Sequence, residues 1–180
     1  SRFSVTLWAK NKKEKMQFRN DTVRRQDRLL DKERALELLR TAPWGVLSMQ
    51  AEEGGGYGVP LNFVWDGQRS IYIHCAPEGR KIRCLSHCGR VSFCIVGHTR
   101  LVPEKFTSEY ESVVLWGTAY LGLSEDEKRM AMRLLVEKLA PAERERGDVY
   151  IEKSFSRVEI IRVDFEAFTA KRKQVNPSES

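Results

Sequence analysis

Between Ser70 and Cys94 lie most of the side chains in this 180-residue chain that could do chemistry: His74, Cys75, Arg80, Lys81, Cys84, His87, Cys88 and Cys94. Gly79-Arg80-Lys81 precedes a segment whose apolar positions, Ile82 and Leu85, follow helical spacing. Two cations at the start of a helix suit an anion, because the first backbone N–H groups lack partners and the helix dipole is positive there. Arg80 offers a two-pronged hydrogen bond and Lys81 a point charge, while Gly79 lets a ligand approach the backbone. His74 ends the preceding strand on the same side. Arg80 and Lys81 read equally well as a solvated basic pair on a surface turn, since no fixed phosphate motif such as the P-loop is present.

The cysteines and histidines carry a second possibility. Cys84-x3-Cys88, with His87, Cys94 and His98 near in sequence, resembles a zinc ligand set. The spacing is wider than most zinc knuckles, and the thiols fall on different element types. Free, reduced thiols without a metal are the expectation. A strand His74 also has the chemistry of a haem ligand, or of an ordinary hydrogen-bonded histidine. No nucleophile–base pair supports hydrolysis.

Charge bounds the partners. The chain has 31 Lys and Arg against 25 Asp and Glu, a net charge of +6. Residues 1–28 hold nine of the basic and three of the acidic residues, and the remainder holds 22 of each. The excess therefore belongs to an N-terminal arm, not to a basic face, which argues against nucleic-acid binding. Trp44, Trp65 and Trp116 are accordingly read as barrel packing. No apolar run reaches membrane-spanning length, and the Phe3–Ala9 patch leads into lysines without a cleavage pattern. A cytoplasmic protein is expected, with a flexible basic arm over 1–28, a domain over 29–173 and a flexible tail over 174–180. Met16 would serve as a natural start, with residues 1–15 an upstream extension.

The elements that must position these residues follow from periodicity. Asp31 caps a helix running through Ala35, Leu36, Leu38 and Leu39 to Pro43. Strands are expected at 44–50, 57–65, 70–75, 90–96, 113–123 and 158–171, the first two joined at Gly54-Gly55-Gly56. In the 57–65 strand, Tyr57, Val59, Leu61, Phe63 and Trp65 share one face. Pro60 cannot donate to a ladder, so that strand has an edge, a bulge or a ligand beside it. Residues 97–112 read as a long polar loop, and 141–153 as a mobile loop or irregular helix. Ser124 and Glu127 form a capping box for a helix that turns Met130, Leu134, Leu135 and Leu139 inward. The outer faces of the strands keep Val64, Val114, Trp116 and Tyr120, a leftover apolar surface of the kind that marks association. The fold class is α+β: a six-stranded antiparallel barrel with peripheral helices.

The order of these motifs resembles the FMN-binding split β-barrel proteins related to pyridoxamine 5′-phosphate oxidase, and within them the 5-nitroimidazole-resistance proteins. The resemblance spans Asp27 to Lys173. It rests on Trp44-Gly-Val-Leu-Ser, Tyr57-Gly-Val-Pro-Leu-Asn-Phe, Ile71-Tyr-Ile-His-Cys-Ala-Pro-Glu-Gly-Arg-Lys, Val113-Val-Leu-Trp-Gly-Thr-Ala and Thr169-Ala-Lys. It implies a homodimer with FMN in the cleft between two barrels. Lys81 and Arg80 would hold the phosphate, and His74 and Ala76 would line the ribityl chain and ring edge. Leu61, Asn62 and Phe63 would run along the isoalloxazine, and Trp116 and Gly117 would approach from the second subunit. Tyr72, Phe63 and Trp116 would wall the cleft for a small electron acceptor, with His74 as the catalytic donor. The oxidase's C-terminal tryptophan–arginine substrate motif has no counterpart after Val158, which argues against vitamin B6 oxidation. The resemblance implies an FMN-dependent oxidoreductase, a nitroreductase for 5-nitroimidazole-like or other small acceptors. The alternative is a non-catalytic flavin- or haem-binding protein, a redox sensor or cofactor store.

Overall fold

The computed structural model describes residues 16–175. The Asp31 carboxylate accepts from the Arg34 N–H and starts α1 (Lys32–Thr41), which buries Ala35, Leu38 and Leu39. The strands are β1 (Gln17–Phe18), β2 (Trp44–Gln50), β3 (Gly56–Asn62), β4 (Val64–Trp65), β5 (Ser70–Cys75), β6 (Arg90–Val102), β7 (Thr107–Tyr120) and β8 (Glu159–Lys173). Between them lie α2 (Arg80–His87), α3 (Glu125–Leu139) and α4 (Arg144–Ser154).

The sheet has eight strands, not six, in the order β3-β2-β6-β7-β8-β5-β4, with β1 added in parallel to β8. One extra strand comes from the segment 57–65. It pairs with β2 as far as Asn62, leaves the ladder at Phe63, and resumes against β5 at Val64 and Trp65. A strand that changes partner in this way bends the sheet over its core and turns both ends of the strand order toward each other. The kink also breaks the expected alternation, because Phe63, Val64 and Trp65 are all buried. Val64 thus belongs to the covered interior and not to a leftover surface.

The other extra strand, β1, lies in what sequence assigns to the arm. Met16 is buried, and Asn20 donates to the Leu30 carbonyl and accepts from the Ala170 N–H, tying residues 16–20 to β8. Residues 1–15 and 176–180 lie outside the described residues, so most of the expected arm and tail do too.

Two further expectations change. Residues 97–112 are not a loop: β6 and β7 continue past a bulge at Val96/Thr99 and close in a tight turn at Phe106. Polar side chains on both faces hide a ladder that backbone groups make. Residues 141–153 form a short 3-10 turn and α4.

The strands β5, β6, β7 and β8 and the helices α1 and α2 enclose one core, in which Phe63 meets the Phe93 ring edge-on at 5.0 Å. A second cluster lies on the opposite face of β4, β5 and β8, where α3 and α4 cover Val64, Tyr72 and Ile160. Leu135 and Ile151 enter this cluster, as do Ala131 and Met132, whereas Leu139 is 38% exposed. Ser124 caps α3 as expected, accepting from the Glu127 N–H at 3.3 Å. The Glu127 carboxylate, however, turns inward.

Candidate functional site

The α2 N-terminus is built as the sequence suggests. Gly79 holds φ +121°, a left-handed value that favours glycine, and a Cβ there would meet nothing within 4 Å. Unlike α1 and α3, α2 has no side chain capping its first turn. Its leading N–H groups are open to an anion.

The two cations there are placed differently. Arg80 stacks over the Tyr57 ring at 4.4 Å and pairs with Glu53 of the β2–β3 turn. Arg83 pairs with Glu52 of the same turn at 3.1 Å. Both pairs are exposed and contribute little, so Arg80 is readily released. Lys81 is half-buried and its charge acts on His74 and Cys75. Burial, and then Lys81, lower the His74 pKa, so the imidazole is neutral at pH 7. Burial raises the thiol pKa values of Cys75 and Cys94, leaving neither a thiolate. Among the described residues, no group of three or more His, Cys, Asp or Glu could hold a metal, and the cysteines are free.

The remaining candidates divide. Leu61, Asn62 and Ala76 sit at partly or fully exposed positions. The Asn62 amide donates to the Pro43 carbonyl at 2.8 Å, so its side chain pins the end of the β2–β3 pair. Phe63 has no exposed surface and Tyr72 is 2% exposed, so neither ring walls an open cleft. Each is spent on packing, Phe63 in the core and Tyr72 under α3. Gly117 is buried against β8 at a register shift, where a Cβ would fall 2.0 Å from the Asp164 carbonyl oxygen. Its lack of a side chain thus serves strand packing. Trp116 is half-buried beside Arg19, Arg69 and Glu166 at a polar recess of about 540 Å³. It lies on β7, three strands from β3, a separation of ~14 Å at ordinary strand spacing. Within one chain, Trp116 does not join Leu61 and Asn62.

One face of the sheet is bare among the described residues. Cross-strand neighbours Pro60, Val46, Cys94 and Val114 form a row on β3, β2, β6 and β7, followed by Gly58, Ser48, Ser92 and Trp116. Val46, Val96, Val114 and Trp44 are exposed there. Trp44, read from sequence as packing, is 54% exposed.

Two charged features escaped the sequence reading. The Tyr72 hydroxyl donates to Glu127 at 3.0 Å, and Arg162 donates to both Glu127 oxygens at 2.9 and 3.1 Å. Arg162 Nε also lies 3.0 Å from Asp164, which accepts from Ser70 at 2.8 Å. Burial and Glu127 raise the Tyr72 pKa. Lys138 places its ammonium 3.8 Å from the Phe63 ring centre, with no hydrogen-bond partner, and burial lowers its pKa to about 8. The only sequence signal for either is a charged residue on a helix face that points to the sheet.

The model of one family, pyridoxamine 5′-phosphate oxidase, matches residues 31–172. The chain belongs to this family. The match takes in every candidate residue named above except Arg19. A search of curated proteins returns no match. Among solved structures, a candidate 5-nitroimidazole antibiotic resistance protein from Bacteroides thetaiotaomicron is 22% identical, with TM-score 0.64 over 81% of this chain and 86% of that one. A flavocytochrome from Azotobacter vinelandii is 21% identical, with TM-score 0.73 over 93% and 79%. An FAD- and haem-binding protein from Mycobacterium smegmatis is 17% identical, with TM-score 0.72 over 85% and 76%. At these identities the likeness concerns the fold, and the split barrel of the family is what they share. No helix among the described residues is long and apolar enough to cross a membrane.

Proposed function

We propose that the chain is an FMN-dependent reductase of small nitro-bearing acceptors, acting as a homodimer with the flavin between two barrels. One observation carries the reading: the uncapped α2 N-terminus at Gly79, with Arg80 and Lys81 on it and neutral His74 beside it. A phosphate there receives the free N–H groups, the Lys81 charge and, once released from Glu53, the Arg80 fork. The half-buried Leu61 and Asn62 and the end of β5 at Ala76 would border the space in which the flavin ring would lie. A bound flavin supplies two-electron transfer, and the protein's share is orientation and electrostatics. His74, uncharged, donates one N–H toward negative charge developing on a nitro oxygen. The bare face of β2, β3, β6 and β7 supports a second copy, because apolar side chains on a sheet face need a cover. A second copy would bring its Trp116 to the flavin and complete what one chain lacks. Relatives in fold that bind FAD, or FAD and haem, support a flavin more broadly than FMN alone.

The test has two arms. Titration of FMN and riboflavin should show Lys81→Ala weakening FMN at least tenfold and riboflavin little, as expected for a lost charge-assisted hydrogen bond of ~1.5–3 kcal/mol. Anaerobic stopped-flow should then show bound, reduced FMN reoxidised by a 5-nitroimidazole faster than free reduced FMN, and His74→Ala should abolish that advantage. Equal rates for bound and free flavin would leave a flavin-binding protein without catalysis. A Soret band on the purified protein would point to haem.

A further inference from the structure

The packing of α3 on α4 leaves a pocket of about 400 Å³ that opens to solvent beside β5. Met132, Leu135, Val136, Leu139, Ile151 and Val158 wall it. Gly147 brings the two helices together: a Cβ there would fall 2.5 Å from Val136 Cγ1. The helices are therefore in close contact at one point and apart at another. Native packing leaves few voids larger than a water molecule, so an apolar space of this size is a shaped feature. It falls within the range of small-molecule sites.

The mouth defines the ligand. Its two charges, Glu143 and Arg146, pair with each other at 2.8 Å and leave no net charge facing inward. His74 stands at the rim, packed on one side and open to solvent on the other, and offers one N–H and one acceptor. The other polar side chain of the lining, Tyr150, is neutral and mostly exposed, so no charge on the walls would compensate a buried ion, and an uncompensated charge in such a place is costly. We propose that this pocket binds an uncharged, apolar molecule of two or three rings, with at most one hydrogen-bonding group turned to His74. The site does not depend on the flavin reading, which concerns the α2 terminus and the bare sheet face. His74 is the residue at which the two places meet.

The probe is N-phenyl-1-naphthylamine, uncharged and fluorescent in apolar surroundings, titrated into the full chain with and without FMN. Saturable binding of one probe per chain at micromolar concentration is expected. Its sulfonated analogue, 8-anilinonaphthalene-1-sulfonate, should bind at least tenfold more weakly. Leu139→Trp, which fills the mouth, should weaken the probe at least tenfold, and Ala140→Phe gives the same reading should the first variant be unstable. Val114→Glu, on the bare sheet face, should leave the titration unchanged. Absence of saturable binding overturns the proposal, as does equal binding in the filled variants. Tighter binding of the sulfonate overturns the uncharged ligand class, and loss of the signal in Val114→Glu places the probe on the sheet. Because every arm is read without FMN as well, failure of flavin binding leaves this result standing.

Discussion

The two outer faces of one barrel are treated differently by the same chain. Over β4, β5 and β8, α3 and α4 cover the strands, and the cover is fastened by charge: Glu127 takes hydrogen bonds from Tyr72 and Arg162 under the helix. Over β3, β2, β6 and β7 no helix of the described residues lies, yet Val46, Val96 and Val114 are apolar all the same. Sequence polarity does not tell these faces apart, since both alternate in the same manner. What differs is what the chain itself supplies as cover. The covered face is a matter of folding; the bare face is where the proposed second copy would sit.

That contrast can be broken from either side. The largest effect is expected at Glu127. Glu127→Ala leaves Arg162 nearly buried with only Asp164 beside it and Tyr72 without its acceptor. Removing one member of such a pair costs ~3–5 kcal/mol. Urea unfolding should register that loss, and a change below ~1 kcal/mol would mean the helix is held by apolar contact alone. On the bare face, Val114→Glu should behave in the opposite manner. Stability of the isolated subunit should shift by less than ~0.5 kcal/mol, because the residue faces solvent there. Dimer dissociation measured by sedimentation equilibrium should strengthen at least a hundredfold, ~2.8 kcal/mol. A dimer untouched by this charge would place the interface elsewhere.

The smallest effect sharpens the picture of the covered side. Lys138 carries an ammonium that lies over the Phe63 ring without a hydrogen-bond partner, and its pKa falls from the ordinary 10.5 to about 8 on burial. The folded state then binds fewer protons than the unfolded one across that window. Stability should therefore climb as pH rises from about 8 to 10.5 and be least below it. Lys138→Met should add ~1 kcal/mol at pH 7 and flatten the climb, as thermal unfolding across pH would show. A flat wild-type profile would mean that water or a neighbour reaches the ammonium.

How much was legible in advance depends on whether a residue's role shows in its neighbours along the chain. β8 was readable because inward Ile161, Val163 and Phe165 alternate with Arg162, Asp164 and Glu166. β5 hides its surroundings, since Ser70, Ile71, Tyr72 and Ile73 are buried in succession between the core and α3. The start of α2 was legible as a helix with two cations at its head. The tie from Arg80 to Glu53 was not, because it joins residues 27 apart through a turn. Phe63 was misplaced for a related reason: a strand that changes partner resets its own alternation, and only the three-dimensional ladder reveals where.

The position of β8 has a consequence for how the chain comes to be folded during synthesis. The last strand in sequence is central in the sheet, lying between β7 and β5 and also receiving β1. A nascent chain stopped before Glu159 has its hairpins but not the strand that joins them, so β5 and β7 present unpaired edges to solvent or to each other. Closure waits for contacts that span some 90 residues, Ile71 with Val163 among them. Translation must reach nearly the end of the domain before the barrel can exist, and until then the growing polypeptide depends on chaperone cover or on speed.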